Sequence, residues 1–217
     1  MKTLWVPPLK YCTCESDLSD ISREMDALRQ EHAIGEINWK VYGCGPVVKF
    51  RISYRDTVIY LKFYVTEKTV LAQHTQNNAM VCEDSCVEFF AAPADDGVYY
   101  NLEFNCIGTC RIGAGRSRAD NRLIDPAIIE TVRRESTLGT RPFAERTGPC
   151  TWTLVAAIPA AVFVDHEIAT LKNATFRGNF YKCGDKLSTP HYLTWNRIKT
   201  REPDFHRPEF FGTIRFE

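Results

Sequence analysis

Between Asn179 and Glu217 the chain gathers Tyr181, Tyr192, Trp195, Phe205, Phe210 and Phe211 among His191, His206, Asn196 and Asp204. Aromatic faces interleaved with fork-like donors and acceptors suit a flat, polar, neutral ligand such as a sugar ring. A second segment, Glu83-Asp84-Ser85-Cys86-Val87-Glu88-Phe89-Phe90, sets carboxylates on and beside a strand. Sharper chemistries draw on the same region. Cys183 with His191 or His206 has the make-up of a thiolate and its base, and Glu88 with Glu103 that of a hydrolytic carboxylate pair. Neither set lies in a local catalytic signature, and a thiol within a strand is more often inert packing, so a stand-alone hydrolase ranks behind a binding domain. Cys183, Asp185, His191 and His206 could ligate zinc, and Met80 with His74 or His191 is the only haem pair on offer; no spacing supports either.

The elements that must carry these residues are mostly strands. Leu18, Ile21, Met25 and Leu28 recur at helical spacing and predict one amphipathic helix between Ser16 and about Gln30, with Ser16 or Asp17 as N-cap. Val48, Phe50, Ile52 and Tyr54 alternate up to a turn at Arg55-Asp56, and Ile59, Leu61, Phe63 and Val65 alternate back, which predicts a β-hairpin. A second hairpin is expected from Cys86–Ala91 and Val98–Asn105, closed by Asp96-Gly97 where positive φ is needed. Tyr100, Leu102 and Phe104 then face the core, and Tyr99, Asn101, Glu103 and Asn105 share the opposite face. Further strands are expected at Trp152–Ile158, Ala174–Cys183, His191–Trp195 and Gly212–Phe216, with Gly113–Pro149 a loop plus one short element. In Thr175–Tyr181 the polar face is Arg177, Asn179 and Tyr181. If it looks the same way as Asn101, Glu103 and Asn105, with Glu88 alongside, one concave polar surface results; the competing reading is the solvated side of a half-buried sheet.

Bulk properties narrow the class. At 217 residues the chain fits a single domain, residues 1–217, with a sizeable core, and few helices among many short strands indicate an all-β antiparallel sandwich of the jelly-roll kind. Lys+Arg 27 balances Asp+Glu 27, so no global field recruits nucleic acid or an anionic membrane. Arg111, Arg116, Arg118 and Arg122 form a local basic cluster without interleaved aromatics, which reads as a solvated loop. No apolar run reaches the length of a membrane span, and the opening residues lack a signal h-region, so the chain as written is expected in the cytoplasm, or in the periplasm or outside the cell if its start is truncated. Nine cysteines cannot all pair internally; Cys82/Cys86 and Cys106/Cys110 are too far apart along a strand to be bridged, and reduced, partly buried thiols are expected.

Taken together, Asp84-Ser85-Cys86-Val87-Glu88-Phe89-Phe90, the Asn-Phe strand opening at Asn179, the Thr194-Trp195 turn and the closing Pro-x-x-Phe-Gly from Pro208 to Gly212 resemble the carbohydrate-binding module family 9 and its family-9-like relatives. The resemblance runs from Trp39 onward, weakest between Gly113 and Thr147, and Ile37-Asn38-Trp39 looks like the family's opening strand. It implies a β-sandwich that holds a sugar ring between two aromatic side chains, a non-catalytic role in polysaccharide catabolism, and glycoside hydrolases as partners. By position Phe205 matches one clamping aromatic and Glu88 the acidic residue that bonds sugar; the second aromatic would fall at Cys82, where this sequence departs, leaving Trp195, Tyr181 or Tyr99 as substitutes. The expected ligand-binding set is Glu88, Asn105, Arg177, Asn179, Trp195, Phe205 and His206, with Phe205 and Trp195 stacking on the ring. The family's structural calcium has Asp84, Asp95 and Asp96 as candidate oxygens, without a recognisable calcium loop.

Overall fold

The computed structural model describes residues 1–43 and 45–217; Cys44, one of the nine cysteines, lies outside them. In chain order the strands and helices are β1 (Thr3–Val6), α1 (Leu18–Asp26), β2 (His32–Ala33), β3 (Val47–Arg55), β4 (Val58–Ala72), β5 (Cys86–Ala92), β6 (Tyr99–Asn105) and β7 (Cys110–Gly115). There follow β8 (Arg122–Leu123), α2 (Pro126–Ile129), β9 (Arg133–Ser136), β10 (Phe143–Pro159), β11 (Thr175–Cys183), β12 (Tyr192–Thr194) and β13 (Gly212–Phe216).

Two sheets face each other. One has eight strands in the order β1-β13-β11-β5-β6-β7-β8, with β12 also on β11; the other has five, in the order β2-β3-β4-β10-β9. Among the described residues the strands pair antiparallel except for β1 beside β13, and an isolated bridge between Pro8 and Tyr54 is also parallel. Both predicted hairpins form. Asp56 adopts φ 53 at the first turn and Gly97 φ 84 at the second, where a side chain would be strained. The predicted helix is α1, with Asp17 at its N-cap, and its Ile21 and Met25 pack on Tyr60, Val155 and Ala157 of the five-stranded sheet.

The main core lies between the sheets. Phe180 of β11 stacks on Phe50 of β3 at 3.9 Å between ring centres and on Phe89 of β5 at 4.8 Å. Tyr100, Leu102, Phe104, Trp152 and Trp195 belong to the same cluster, each aromatic contributing about 1.5–3 kcal/mol on burial. Inside this core Lys182 of β11 is ion-paired with Glu67 of β4 at 3.0 Å. Its ammonium also donates to the Cys183 carbonyl and to His191 Nε2, while Trp152 Nε1 donates to the other Glu67 oxygen at 2.7 Å.

The eight-stranded sheet is buried on its second face as well. Trp39, Val81, Cys86, Phe90, Tyr99, Tyr181, Cys183, Ile198, Phe205 and Phe211 form a separate cluster there. Loops therefore cover the polar face of β5, β6 and the Asn179–Cys183 part of β11, while Arg177 at the start of β11 stays exposed. This explains why every residue of β6 is buried although its sequence alternates. The segment expected to be a loop, Gly113–Pro149, contains β8, α2, β9 and the start of β10, short elements whose exposed and mixed residues give no alternation to read. Ile37-Asn38-Trp39 is not a strand: the pairing at this point is a single bridge between Glu36 and Thr194, and Trp39 instead turns in to donate from Nε1 to the Thr200 carbonyl. Among the described residues no helix is long and apolar enough to cross a membrane.

Candidate functional site

Antiparallel register fixes a polar row across the covered face. Tyr181 of β11 lies opposite Glu88 of β5, Glu88 opposite Glu103 of β6, and Glu103 opposite Arg111 of β7. Alternation puts Cys86 and Phe90, Asn101, and Cys183 on the same face. Above the row the covering loops leave a cavity of about 280 Å³, at the lower end of the about 300–1,000 Å³ of small-molecule sites. Glu88, Asn101, Glu103, Arg111 and Cys183 form its floor. Met80 and Cys82 border it on one side, Arg118 and Asn121 on another, and Asp185, Tyr192 and the segment from Pro203 to His206 complete the wall.

The walls are held by specific bonds. Asn121 Nδ2 donates to Asn101 Oδ1 at 2.7 Å, and Asn101 Nδ2 to Glu103 Oε1 at 2.7 Å, a relay that aims the Glu103 carboxyl into the cavity. A Cβ at Gly113 would run into both amide oxygens, so this position must stay bare for the relay to form. Arg111 is anchored by donating to the Asn78 carbonyl at 2.7 Å. Arg118 reaches over to Asp204 at 2.9 Å, joining the segment after β7 to the 203–206 segment. That segment is fixed from below. Tyr181 donates its hydroxyl to the Phe205 carbonyl at 3.1 Å, and its ring stacks on Phe205 at 4.2 Å with 5° between planes. The Tyr99 hydroxyl meets His206 Nδ1 at 2.8 Å.

Burial dominates the electrostatics. Glu88 is held well above the usual carboxylate range by loss of water and by the facing Glu103, against a thiol hydrogen bond from Cys183 at 3.1 Å. Glu103 and Asp185 are raised chiefly by burial. His206 is pushed down to about 4 by burial and by the charge of Arg118, so its imidazole is neutral near pH 7. Burial also raises the Cys82 thiol, and Cys183 is raised first by its bond with Cys86 and then by burial. A protonated carboxyl donates one bond and accepts others, and Arg111 and Arg118 donate only; hydroxyl groups can satisfy both kinds.

Of the seven residues expected to bind ligand, the structure brings Glu88, Phe205 and His206 together in the cavity. The other four support it from elsewhere. Asn105 donates to Asp84 and to the His74 carbonyl, and its oxygen accepts from Thr109 N, closing the turn after β6. Asn179 exchanges hydrogen bonds with the backbone of Asn196, and Arg177 donates to the Phe211 carbonyl. Trp195 is buried in the inter-sheet core, on the far side from the cavity. Tyr181 and Tyr99, considered as substitute stacking surfaces, are buried beneath the wall, so the apolar surface near Cys82 comes from Met80, 47% exposed, and Tyr192. The Cys183/His191/His206 group is not assembled: His191 faces the inter-sheet Lys182, and burial, then the charge of Lys182, lowers it to about 3. Asp84 spends its oxygens on Gln73 N, His74 N and Asn105, while Asp96 caps the hairpin turn through Val98 N.

Sequence reading missed Arg111 and Arg118, taken as part of a solvated cluster. The signal for Arg111 was its place between the apolar Cys110 and Ile112, which puts it on the polar face opposite Glu103 once the turn after Asn105 is recognised.

The family model described as "Carbohydrate-binding family 9" matches residues 21–216. A crystal structure from Bacteroides uniformis ATCC 8492, of a protein provisionally described as carbohydrate-binding, is 40% identical, with TM-score 0.95 over 100% of this chain and 99% of that one. A family 9 carbohydrate-binding module from Caldicellulosiruptor kristjanssonii in complex with glucose shares the fold at 14% identity and TM-score 0.63, over 100% of this chain and 96% of that one. The same organism's module in complex with cellotriose gives 12% and 0.60, over 100% and 94%. No protein of curated function matches the chain.

Proposed function

The chain belongs to carbohydrate-binding family 9, and from that premise we propose that it is a non-catalytic domain binding a mono- or oligosaccharide in the cavity over β5, β6 and β11. The observation that carries the reading is the row Glu88–Glu103–Arg111 with Asn101, lying under Phe205 and His206. It offers donors and acceptors in alternation beneath an aromatic and thioether rim, which is what a ring with polar edges and apolar faces requires.

In this reading Glu88, Glu103 and Arg111 bond ring hydroxyls, His206 accepts through its free nitrogen or donates from it according to tautomer, and Phe205 lies against the ring. Met80 and Tyr192 stand in for the aromatic wall that Cys82 does not supply. The small volume favours one sugar unit in the cavity, with any further units outside. An accessory role beside a glycoside hydrolase in polysaccharide breakdown follows from the same reading. Net affinity is modest, because stacking contributes about 0.5–1.5 kcal/mol and hydrogen bonds to charged groups about 1.5–3 kcal/mol each after desolvation.

Calorimetry with glucose, cellobiose and cellotriose, followed by a glycan array, tests this. Saturable binding of a sugar class, weakened about tenfold in both Glu88→Gln and Glu103→Gln, is expected, since an amide fixes one atom as donor and one as acceptor where a carboxyl can present either oxygen, and one hydrogen bond of about 0.5–1.5 kcal/mol is lost in each. Binding that both substitutions leave unchanged would remove the cavity as the site.

A further inference from the structure

Beneath the sugar row lies a second chemical grouping. Cys86 and Cys183 are direct register partners on β5 and β11, and Glu88 follows Cys86 on the same face of its strand. Cys183 Sγ donates to Glu88 Oε1 at 3.1 Å, and one ligand atom from each of the three residues lies within 4.8 Å of the others. All three are buried, and Glu88 and Cys183 reach the cavity.

We propose that Cys86, Cys183 and Glu88 form a binding site for a thiophilic divalent cation of the zinc type, with its fourth position open to the cavity. Zinc takes thiolate sulfur at about 2.3 Å and carboxylate oxygen at about 2.0–2.2 Å in a tetrahedron, so its ligand atoms stand about 3.3–3.8 Å apart. The observed grouping brackets that spacing, with Cys183 Sγ and Glu88 Oε1 at 3.1 Å and all three ligand atoms within 4.8 Å of one another. Two cysteines and one carboxylate are a soft-to-borderline donor set, which disfavours calcium and magnesium, whose ligands are oxygen. The strand positions are set by sheet hydrogen bonds, so the ligand carbon framework is held before the ion arrives. Binding two thiolates and a carboxylate to one dication leaves one net negative charge, which faces Arg111 and Arg118 across the cavity. The thiol protons leave to solvent as the sulfurs coordinate; no electron is transferred. The fourth ligand is water, a sugar hydroxyl or the neighbouring Cys82, whose carbonyl already accepts from Cys183 Sγ at 3.7 Å.

The test is a titration of reduced, metal-stripped protein with zinc under chelator competition, and with cobalt(II) read by absorption. One ion per chain is expected, with a strong thiolate-to-cobalt charge-transfer band in the near ultraviolet. Cys86→Ser and Cys183→Ser should each remove about half of that band, one of two thiolates being lost, and weaken zinc by more than the about 10–100-fold that changes outside the ligand shell cost. Glu88→Gln, which keeps the side-chain volume, should weaken zinc while leaving the sulfur band; it reads the site even if the serine variants do not fold. Cys14→Ser, at an exposed thiol, should change nothing. Absence of stoichiometric binding to the unsubstituted protein, a cobalt spectrum without the sulfur band, or zinc affinity unmoved by Glu88→Gln would overturn the site. No sugar is present in the titration, so its outcome is separate from that of the saccharide reading.

Discussion

The ring of Tyr181 lies parallel to that of Phe205 at 4.2 Å, and the same tyrosine donates its hydroxyl to the Phe205 carbonyl. One side chain of a central strand thus fixes both the ring and the backbone of the segment that walls the cavity. Phe205 is not a freely swinging clamp; it is seated before ligand arrives, with Trp39 at 6.1 Å and Tyr192 at 6.1 Å around it.

Tyr181→Phe separates the two contributions. It keeps the stack and removes the hydroxyl, leaving a buried carbonyl short of a donor, so stability should fall by about 1–3 kcal/mol. Sugar affinity should fall several-fold because the 203–206 segment loses its backbone tether. Denaturant unfolding with calorimetry checks both; an unchanged affinity would show that the segment is positioned by packing alone.

Glu88→Gln should trade binding for stability. The folded protein holds Glu88 well above its unfolded value, so between the two the native state binds more protons than the unfolded chain and stability declines as pH rises through that window. A glutamine carries no such cost. The variant should be more stable than the parent at pH 8 and show little gain at pH 3, where the acid is protonated in both states; thermal melts at the two values read the difference.

His206 imposes the opposite slope. Its folded value of about 4 lies below the ordinary 6.5, so across that interval the unfolded chain takes up the proton that the native state refuses. Stability contributed here is full above about 6.5 and is lost as pH falls toward 4. His206→Gln, which can still accept from Tyr99, should flatten the part of the pH–stability curve between those values that belongs to this group. A curve of unchanged slope would mean that His206 is protonated in the folded state.

The Lys182–Glu67 pair should matter to the scaffold and not to the site. Removing one member leaves the other charged and buried, at a cost of about 3–5 kcal/mol, so Lys182→Met alone should be strongly destabilising. Replacing Glu67 by Leu in the same chain should recover much of the loss. A double-mutant cycle in urea measures the coupling, and sugar affinity of the folded double variant should match the parent, because the pair lies between the sheets.

Alternation made the hairpins of β3–β4 and β5–β6 legible, since Phe50, Ile52, Leu61 and Phe63 recur with period two on a face that must be buried. It also put Asn101 and Glu103 on one face, which Glu88 could join if the strands aligned, and the register aligns them. What it could not give was the cover. Whether a polar face meets water or a loop depends on segments such as 196–211, whose Pro, Asn and Arg residues have no period. Trp195 illustrates the limit. It follows β12 directly, beside the polar Asn196 and Arg197, and reads as a stacking surface for ligand, yet its ring packs edge-on to Phe50 and Phe180 in the main core. Glu88 and Phe205 came from the family resemblance and His206 from the cluster of aromatic and polar residues after Asn179, whereas Asp185 and Arg118 enter the cavity from turns, where no alternation tells which way a side chain points.

The parallel pairing of β1 with β13 has a practical bearing on how the protein is handled. Lys2 donates from its backbone to Asn196 Oδ1 at 3.0 Å and from Nζ to the Trp195 carbonyl, and Thr213 N donates to the Lys2 carbonyl at 3.0 Å. The opening residues are thus stitched to the very stretch that leads into the cavity wall. Removing Lys2 would cut these bonds beside the stretch that runs on to the cavity wall, whereas Phe216 pairs with Val6 at the other end of the same two strands.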